Sequence, residues 1–346
     1  MPQAGNRLDR LRTSLGHAGL DGFLVTHPPN LRYLFGFTGS LGAALVTHNN
    51  CDLLVDSRYL EQAERETNDC RVHLAASPLG DDLRGLLTKP SRIGVEAGTL
   101  PYSQALTWHS WAGPWHIQPT REIVEELRAI KSPAEIDQIR AACRLARQAL
   151  DDLLEDPPWE APETEVAGRL EFLFRKLGAE GTAFDTIVAS GPQSSLPHAQ
   201  PGNRLVRPDQ VLLIDFGARK NGYCSDMTRV ILPDDDRVHR VADVVRNAQR
   251  AAIGEIRPGV STLLVDRAAR DLIADAGYAG RFGHGTGHGI GLEIHELPRI
   301  STSGESLLSA GMVVTVEPGI YLPGEFGIRI EDVAVVTETG CELLSA

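Results

Sequence analysis

No apolar run approaches the roughly 18–20 residues that a membrane-spanning helix needs, so the 346-residue chain is not expected to enter a membrane. The start, Met1-Pro2-Gln3-Ala4-Gly5-Asn6-Arg7, lacks the apolar core of a secretory signal, which points to a cytoplasmic protein. Cysteine is scarce. Cys51, Cys70, Cys143, Cys224 and Cys341 include no Cys-x-x-Cys pair. An odd, dispersed set reads as reduced thiols, not as a disulfide frame or a zinc cluster. Basic residues are outnumbered, 34 Lys and Arg against 46 Asp and Glu, for a net charge of −12. That balance argues against a nucleic-acid binder and favours solubility. No repeat and no low-complexity tract is present, so a repeat array is not expected.

What remains is ordinary globular composition, 42% hydrophobic and 23% charged, in a chain long enough for two domains. Residues 1–120 alternate helical patterns (6–19, 58–66, 79–88, 101–111) with strand-like runs (22–26, 43–46, 52–55, 93–95), as a small α/β domain does. Pro119 and Ser132-Pro133 punctuate the boundary. Ser132 followed by Glu135 has the spacing of a capping box opening a helix to about residue 155, which Pro157-Pro158 ends. A second helix is expected near 162–177. From 184 onward strands dominate, with helices near 237–256 and 261–276, so residues 121–346 read as an α+β domain with a curved antiparallel sheet.

The densest signal is a hairpin. Val211-Leu212-Leu213-Ile214 and Met227-Thr228-Arg229-Val230-Ile231 are strand-like, and Lys220-Asn221-Gly222 is a turn signal between them. With a loop of Lys220-Asn221, of Asn221-Gly222, or of the four residues centred on Lys220-Asn221, Asp215 and Asp226 are direct or diagonal neighbours on one face. Two such carboxylates repel unless a cation lies between them. Cys224, although inside the hairpin, is given no chemical role. Further on come His284-Gly285-Thr286-Gly287-His288-Gly289-Ile290-Gly291, His295-Glu296-Leu297-Pro298, then Glu317 at the end of an apolar run, and Arg329 and Glu331 two apart on one strand face. Taken singly, a histidine beside glycines is usually a loop residue, and Arg-x-Glu is usually a surface ion pair. Five features in the order Asp, Asp, His, Glu, Glu with these flanks are a specific signal. Asp215-Phe216-Gly217 has the letters of a kinase motif, but the chain has neither the glycine-rich loop nor a His-Arg-Asp loop to go with it.

These residues resemble the "pita-bread" metallopeptidases: aminopeptidase P, prolidase (Xaa-Pro dipeptidase) and methionine aminopeptidase. The resemblance is strong over 121–346. It is weaker over the first 120 residues, where it runs through Asn30-Leu31-Arg32-Tyr33-Leu34-Phe35-Gly36-Phe37-Thr38-Gly39-Ser40 and Asp56-Ser57-Arg58-Tyr59. It implies an α+β pita-bread catalytic domain behind a smaller, creatinase-like α/β domain that serves dimerisation and substrate restriction. It also implies that Asp215, Asp226, His288, Glu317 and Glu331 are metal ligands, with Asp226 and Glu331 bridging. His295 would stabilise the carbonyl oxygen, and His198 would aid protonation or binding of the leaving group. His284 would shape the proline pocket and Arg329 would anchor the carboxylates. Tyr321 also matches the pattern and carries less weight.

Four carboxylates and one imidazole form a hard donor set that suits Mn²⁺, Co²⁺, Fe²⁺ or Zn²⁺, manganese first, and excludes a thiolate-type zinc site. One divalent ion would leave about two negative charges unbalanced in a partly buried site, whereas two ions neutralise it. The function that the resemblance implies is hydrolysis of the bond between an N-terminal residue and proline in short peptides by a homodimer. The uncharged Thr38-Gly39-Ser40-Leu41-Gly42 loop favours the aminopeptidase P type over a strict dipeptidase. A methionine aminopeptidase usually lacks a domain like 1–120, and Ser225-Asp226-Met227-Thr228-Arg229 looks more like the proline-specific members. Peptide-binding relatives without activity typically lose ligands, and creatinase-like amidinohydrolases share the fold without this set.

Overall fold

The structure is a computed structural model that describes residues 4–86, 91–111 and 115–345. The N-terminal tripeptide that opens the signal-sequence reading and the end of the expected 79–88 helix lie outside the described residues. The chain divides into two compact units, Met1–Arg128 and Ala129–Ala346.

The first unit holds α1 (Ala4–Ala18), β1 (Gly22–Val25), α2 (Pro28–Phe35), β2 (Ala43–Thr47), β3 (Cys51–Val55), α3 (Leu60–Glu66), β4 (Arg71–Leu74), α4 (Asp81–Arg84), β5 (Ser91–Glu96), α5 (Tyr102–His109) and β6 (Trp115–Thr120), followed by α6 (Ile123–Ala129). Its mixed six-stranded sheet runs β4-β3-β2-β1-β5-β6. Leu24, Leu45, Leu54, Ile93 and Trp108 pack one of its cores. Four elements escape the hydrophobic pattern: α2, β4, β6 and α6, the last in the stretch expected to be the domain boundary. Helix α2 starts on Pro28-Pro29, which its first turn accepts because a proline there forfeits no hydrogen bond. The strands β4 and β6 are the two edges of the sheet and are polar enough to lack a buried strand's signature.

The second unit opens with α7 (Pro133–Glu155) and α8 (Glu163–Lys176). The capping box is present: Glu135 N–H donates to Ser132 Oγ, and Ser132 N–H donates to Glu135 Oε2 at 2.9 Å. Then follow β7 (Gly181–Thr182), β8 (Ile187–Ser190), β9 (Leu212–Phe216), β10 (Ala218–Lys220), β11 (Tyr223–Cys224) and β12 (Met227–Ile231). After α9 (Asp236–Glu255) and α10 (Thr262–Ile273) come β13 (Gly287–Gly289), β14 (Glu296–Ile300), β15 (Val313–Val316), β16 (Gly319–Leu322), β17 (Phe326–Arg329), β18 (Asp332–Val336) and β19 (Cys341–Leu343). The described strand pairs of this unit are antiparallel.

The strands β9, β15 and β17, which carry or lead into site residues, each show one face to a helix pair. Leu212, Ile214 and Phe216 of β9 pack on α7 and α8 with Leu170 and Phe174, so Leu213 and Asp215 point the other way. Val314 and Val316 of β15 and Ile328 of β17 pack on α9 and α10 with Val241, Val245 and Val265. That leaves Thr315, Glu317 and Arg329 on the opposite faces. The hairpin turns at Asn221-Gly222, both with positive φ (48° and 80°), the signature of a two-residue type I′ turn. Arg219 then faces Cys224 and Asp215 faces Thr228. Asp215 and Asp226 are diagonal neighbours.

Two stability outcomes follow. Ile328→Ala should cost about 2–5 kcal/mol, the range for emptying a buried aliphatic site, because Ile328 is fully buried between sheet and helices. Ser132→Ala should cost about 1 kcal/mol through the lost cap. Urea unfolding measures both.

Candidate metal centre

Five strand segments bring the site together. β9 carries Asp215, and Asp226 immediately precedes β12. β13 carries His288, with glycine on both sides for a steric reason. A Cβ on Gly287 would lie 1.9 Å from the Thr315 carbonyl oxygen, and one on Gly289 would lie 2.0 Å from that of Leu297. Glu317 follows β15, and Arg329 and Glu331 lie at and after the end of β17. All nine expected site residues line one cavity of about 440 Å³, with Phe184, Ile187 and Ile294 on its apolar wall. Asp226, His288 and Glu331 each place one ligand atom within 4.8 Å of the others'.

The side chains are held tightly. His288 Nδ1 lies 3.0 Å from the Gly289 carbonyl oxygen, which can only accept, so Nδ1 carries the proton. The lone pair of Nε2 therefore faces Glu317 Oε1 at 3.4 Å and Asp226 Oδ2 at 3.6 Å. Arg329 donates to Asp215 Oδ2 at 2.6 Å, to the Thr228 hydroxyl at 3.0 Å, to the Tyr321 hydroxyl at 2.8 Å and to the Pro197 carbonyl at 3.1 Å. Thr228 in turn donates to Glu331 Oε2 at 2.8 Å.

His284 is saturated. Its Nδ1–H donates to the Gly285 carbonyl and its Nε2 accepts from Tyr321, each at 2.8 Å. Asp266 of α10 accepts from the Thr286 amide and hydroxyl, and Arg270 reaches the carbonyls of Phe282 and His284, so α10 shapes this loop. His295 is exposed, its ring 4.4 Å from that of His288. His198 is exposed on the cavity wall. Behind His295, Glu296 is locked by a buried ion pair to Lys131 at 3.1 Å.

The electrostatics are those of a site built for cations. Burial raises Asp226 well above the usual carboxylate range, and the neighbouring carboxylates, Glu331 foremost, push it further. Glu331 is raised well above its range by burial and by Glu317 and Asp215. Glu317 is raised to about 7, mainly by burial. Burial lowers His288 to about 4, so its imidazole is neutral. Asp215 Oδ1 is buried without a hydrogen-bond partner. An orphaned carboxylate oxygen and an imidazole lone pair aimed at carboxylates are donors in want of a cation, so the residues fit bound metal.

Comparison with known proteins agrees. Residues 137–338 match the model of metallopeptidase family M24, and residues 7–130 match the creatinase/prolidase N-terminal domain. The chain belongs to metallopeptidase family M24. A Xaa-Pro dipeptidase of Pyrococcus furiosus is 34% identical over 343 residues, covering 98% of this chain and 97% of the relative. The solved structure of a Xaa-Pro dipeptidase from Bacillus anthracis superposes with a TM-score of 0.93 at 37% identity, over 99% of this chain and 98% of that one. An X-Pro aminopeptidase from Thermotoga maritima gives 0.87 at 38% identity, over 96% and 97%. This M24 metallopeptidase is thus a metallo-hydrolase of the α+β pita-bread fold whose family binds divalent metal, and its carboxylate and imidazole cluster is suited to that metal.

Thr228, Tyr321 and the Lys131–Glu296 pair support the site beyond the nine expected residues. The first had a signal in the sequence: Thr228 stands two residues after Asp226 on a strand, hence on its face. The pair spans 165 positions in sequence and had none.

The raised carboxyls give a pH outcome. A group whose folded pKa lies above its unfolded value stabilises the fold below the unfolded value and loses that contribution as pH rises through the folded one. Metal-stripped enzyme should therefore lose stability as pH rises from about 4.5 through about 7, the window of Glu317, with Asp226 and Glu331 extending the loss upward. Thermal melts of chelated protein at pH 5 and pH 8 check this, and added Mn²⁺ should restore the melting point at the higher pH.

Proposed function

We propose that this M24 metallopeptidase cleaves the bond between an N-terminal residue and a following proline in short peptides, using two divalent ions, manganese first, with cobalt, zinc or iron as substitutes. The observation that carries this reading is the convergence of four carboxylates, one fixed imidazole lone pair and three further histidines on one cavity. The names of the relatives in Bacillus anthracis, Pyrococcus furiosus and Thermotoga maritima support the preference for proline.

Asp215, Asp226, His288, Glu317 and Glu331 would hold the ions, with Asp226 and Glu331 shared. Four negative charges balance two divalent ions, and the neutral imidazole adds none. Such a pair, when bound, supplies Lewis-acid polarisation of the scissile carbonyl and a water-derived nucleophile at neutral pH. The protein's own groups do the rest. Partial desolvation of the ring against the cavity wall, then Arg299 and His198, lower the pKa of His295, so its imidazole is neutral at pH 7. Its N–H donates to the carbonyl oxygen as that oxygen gains charge. His198 donates a proton to the proline nitrogen, a tertiary amide nitrogen without N–H that leaves as a secondary amine. His284, with both nitrogens engaged, moves no proton, and its ring forms a wall of the proline site. Arg329 orients Asp215 and opposes the burial that raises its pKa.

Substrate length turns on whether a cation meets the carboxylate of proline. Among the described residues lining the cavity, the one guanidinium is Arg329, and its donors are committed to Asp215, Thr228, Tyr321 and Pro197. That favours peptides extended past proline, the aminopeptidase P type. A second reading, the strict Xaa-Pro dipeptidase, has its own support in Arg299. This arginine is exposed and near enough to His295 and His288 to lower the pKa of both. A cytoplasmic homodimer belongs to the same proposal. It rests on the resemblance set out above, and sedimentation gives the mass.

Metal analysis of reconstituted enzyme should approach two ions per chain, and Asp226→Ala or Glu331→Ala should lower both metal content and activity. His295→Ala should keep its metal and lose roughly 10²-fold in kcat, the scale of one lost oxyanion donor. A drop in metal content instead would make His295 a ligand. The ratio of kcat/KM on Xaa-Pro-Yaa to that on Xaa-Pro decides length. A value above one supports the first reading, and hydrolysis confined to the dipeptide, reduced by Arg299→Ala, supports the second.

A further inference from the structure

In the first unit the thiols that look scattered in the sequence are not all apart. The strands β3 and β4 run parallel in the register Asp52↔Arg71, Leu53↔Val72, Leu54↔His73 and Val55↔Leu74. One step back along both chains, Cys51 stands opposite Cys70. Adjacent strands lie about 4.8 Å apart, inside the roughly 4.4–6.8 Å between Cα atoms that a disulfide spans. The start of β4 is fixed against β3 by side chains as well. Arg71 and His73 both reach Asp52, at 2.8 and 2.7 Å. Cys51 is buried and Cys70 half-buried, and both are free thiols. The strand they flank is the outermost of the sheet and is largely exposed, with Leu74 at 59%.

We propose that Cys51 and Cys70 are a reversible oxidation site whose disulfide staples edge strand β4 to β3. With a low-molecular-weight disulfide such as oxidised glutathione as oxidant, the Cys70 thiolate attacks one glutathione sulfur and releases glutathione thiolate. The Cys51 sulfur, deprotonated, then attacks the Cys70 sulfur of the mixed disulfide and releases the second glutathione. Two thiol protons go to solvent or to the two glutathione thiolates, and the two electrons reside on glutathione. Cys70 is the accessible partner, so the first attack falls there. The pKa of the Cys51 thiol is raised by its contact with Cys70 and by burial, which makes the closing step slow. Exposure on the Cys70 side leaves the bond open to reduction by small thiols.

The test uses the full-length native protein with oxidised glutathione, no denaturant, and peptide mass mapping under non-reducing conditions. The expected result is a Cys51–Cys70 linked peptide, two hydrogens lighter, with no glutathione retained, with Cys143, Cys224 and Cys341 still free, and with reversal by dithiothreitol. Amide hydrogen exchange in residues 71–74 should slow on oxidation, and Cys70→Ser should abolish the linked peptide. Glutathione left on Cys70, a different pairing, five thiols still titratable, or unchanged exchange in β4 would each overturn the proposal.

Discussion

Everything in the second unit answers to the mutual repulsion of four carboxylates in a protein interior. Asp215, Asp226, Glu317 and Glu331 crowd one cavity, and one guanidinium cannot compensate them. Left alone they would take up protons or swell the site. The fold suppresses the second outcome by fixing them on or directly beside strands and by tying three of the four residues to polar neighbours. Arg329 holds Asp215, Thr228 holds Glu331, and the Thr286 carbonyl accepts from the Glu317 amide at 2.8 Å. Cations that enter find the donors already arranged, so little of their binding energy goes into reorganising the protein.

Rigidity around the site is layered. Close backbone approach at Gly287 and Gly289 sets the plane of His288, and the Gly289 carbonyl sets its tautomer. Tyr321 couples Arg329 to His284, so the anchor of one ligand and the wall of the cavity share one hydroxyl. Lys131, just before α7, reaches Glu296 and thereby ties the start of the helical layer to the segment carrying His295. The two side chains are almost fully buried. Breaking such a pair leaves an uncompensated charge, a larger penalty than the pair's own net contribution.

Much of this was legible in the sequence, for physical reasons. Turn chemistry at Asn221-Gly222 fixes the hairpin register, and with it the neighbourhood of Asp215 and Asp226. Period-two alternation separates Thr315 and Glu317 from Val314 and Val316, and the Ser132 and Glu135 spacing announces α7. What stayed hidden depends on tertiary context. Pro28-Pro29 opens a helix because it falls in the first turn, and β4 and β6 are strands because a neighbouring strand pairs them. Tyr321 gains weight only once Arg329 and His284 are seen to meet on its oxygen. The adjacency of Cys51 and Cys70 depends on a parallel register that no local pattern announces.

The two-faced strands have a consequence for how such a chain can change length. In β15 and its continuation, Val314 and Val316 face the α9 and α10 layer while Thr315 and Glu317 face away from it, Glu317 into the cavity, and Ile328 and Arg329 divide the same way in β17. Inserting or deleting a single residue in these strands would exchange the two sets at once, sending a carboxylate into the aliphatic layer and a valine into the site. Adding or removing two residues preserves the faces but moves the ligand by a full repeat, nearly 7 Å along the strand. Neither change can be absorbed locally. Length variation is therefore confined to loops such as 301–311 and 232–235, and the strands that carry the ligands can change only by substitution.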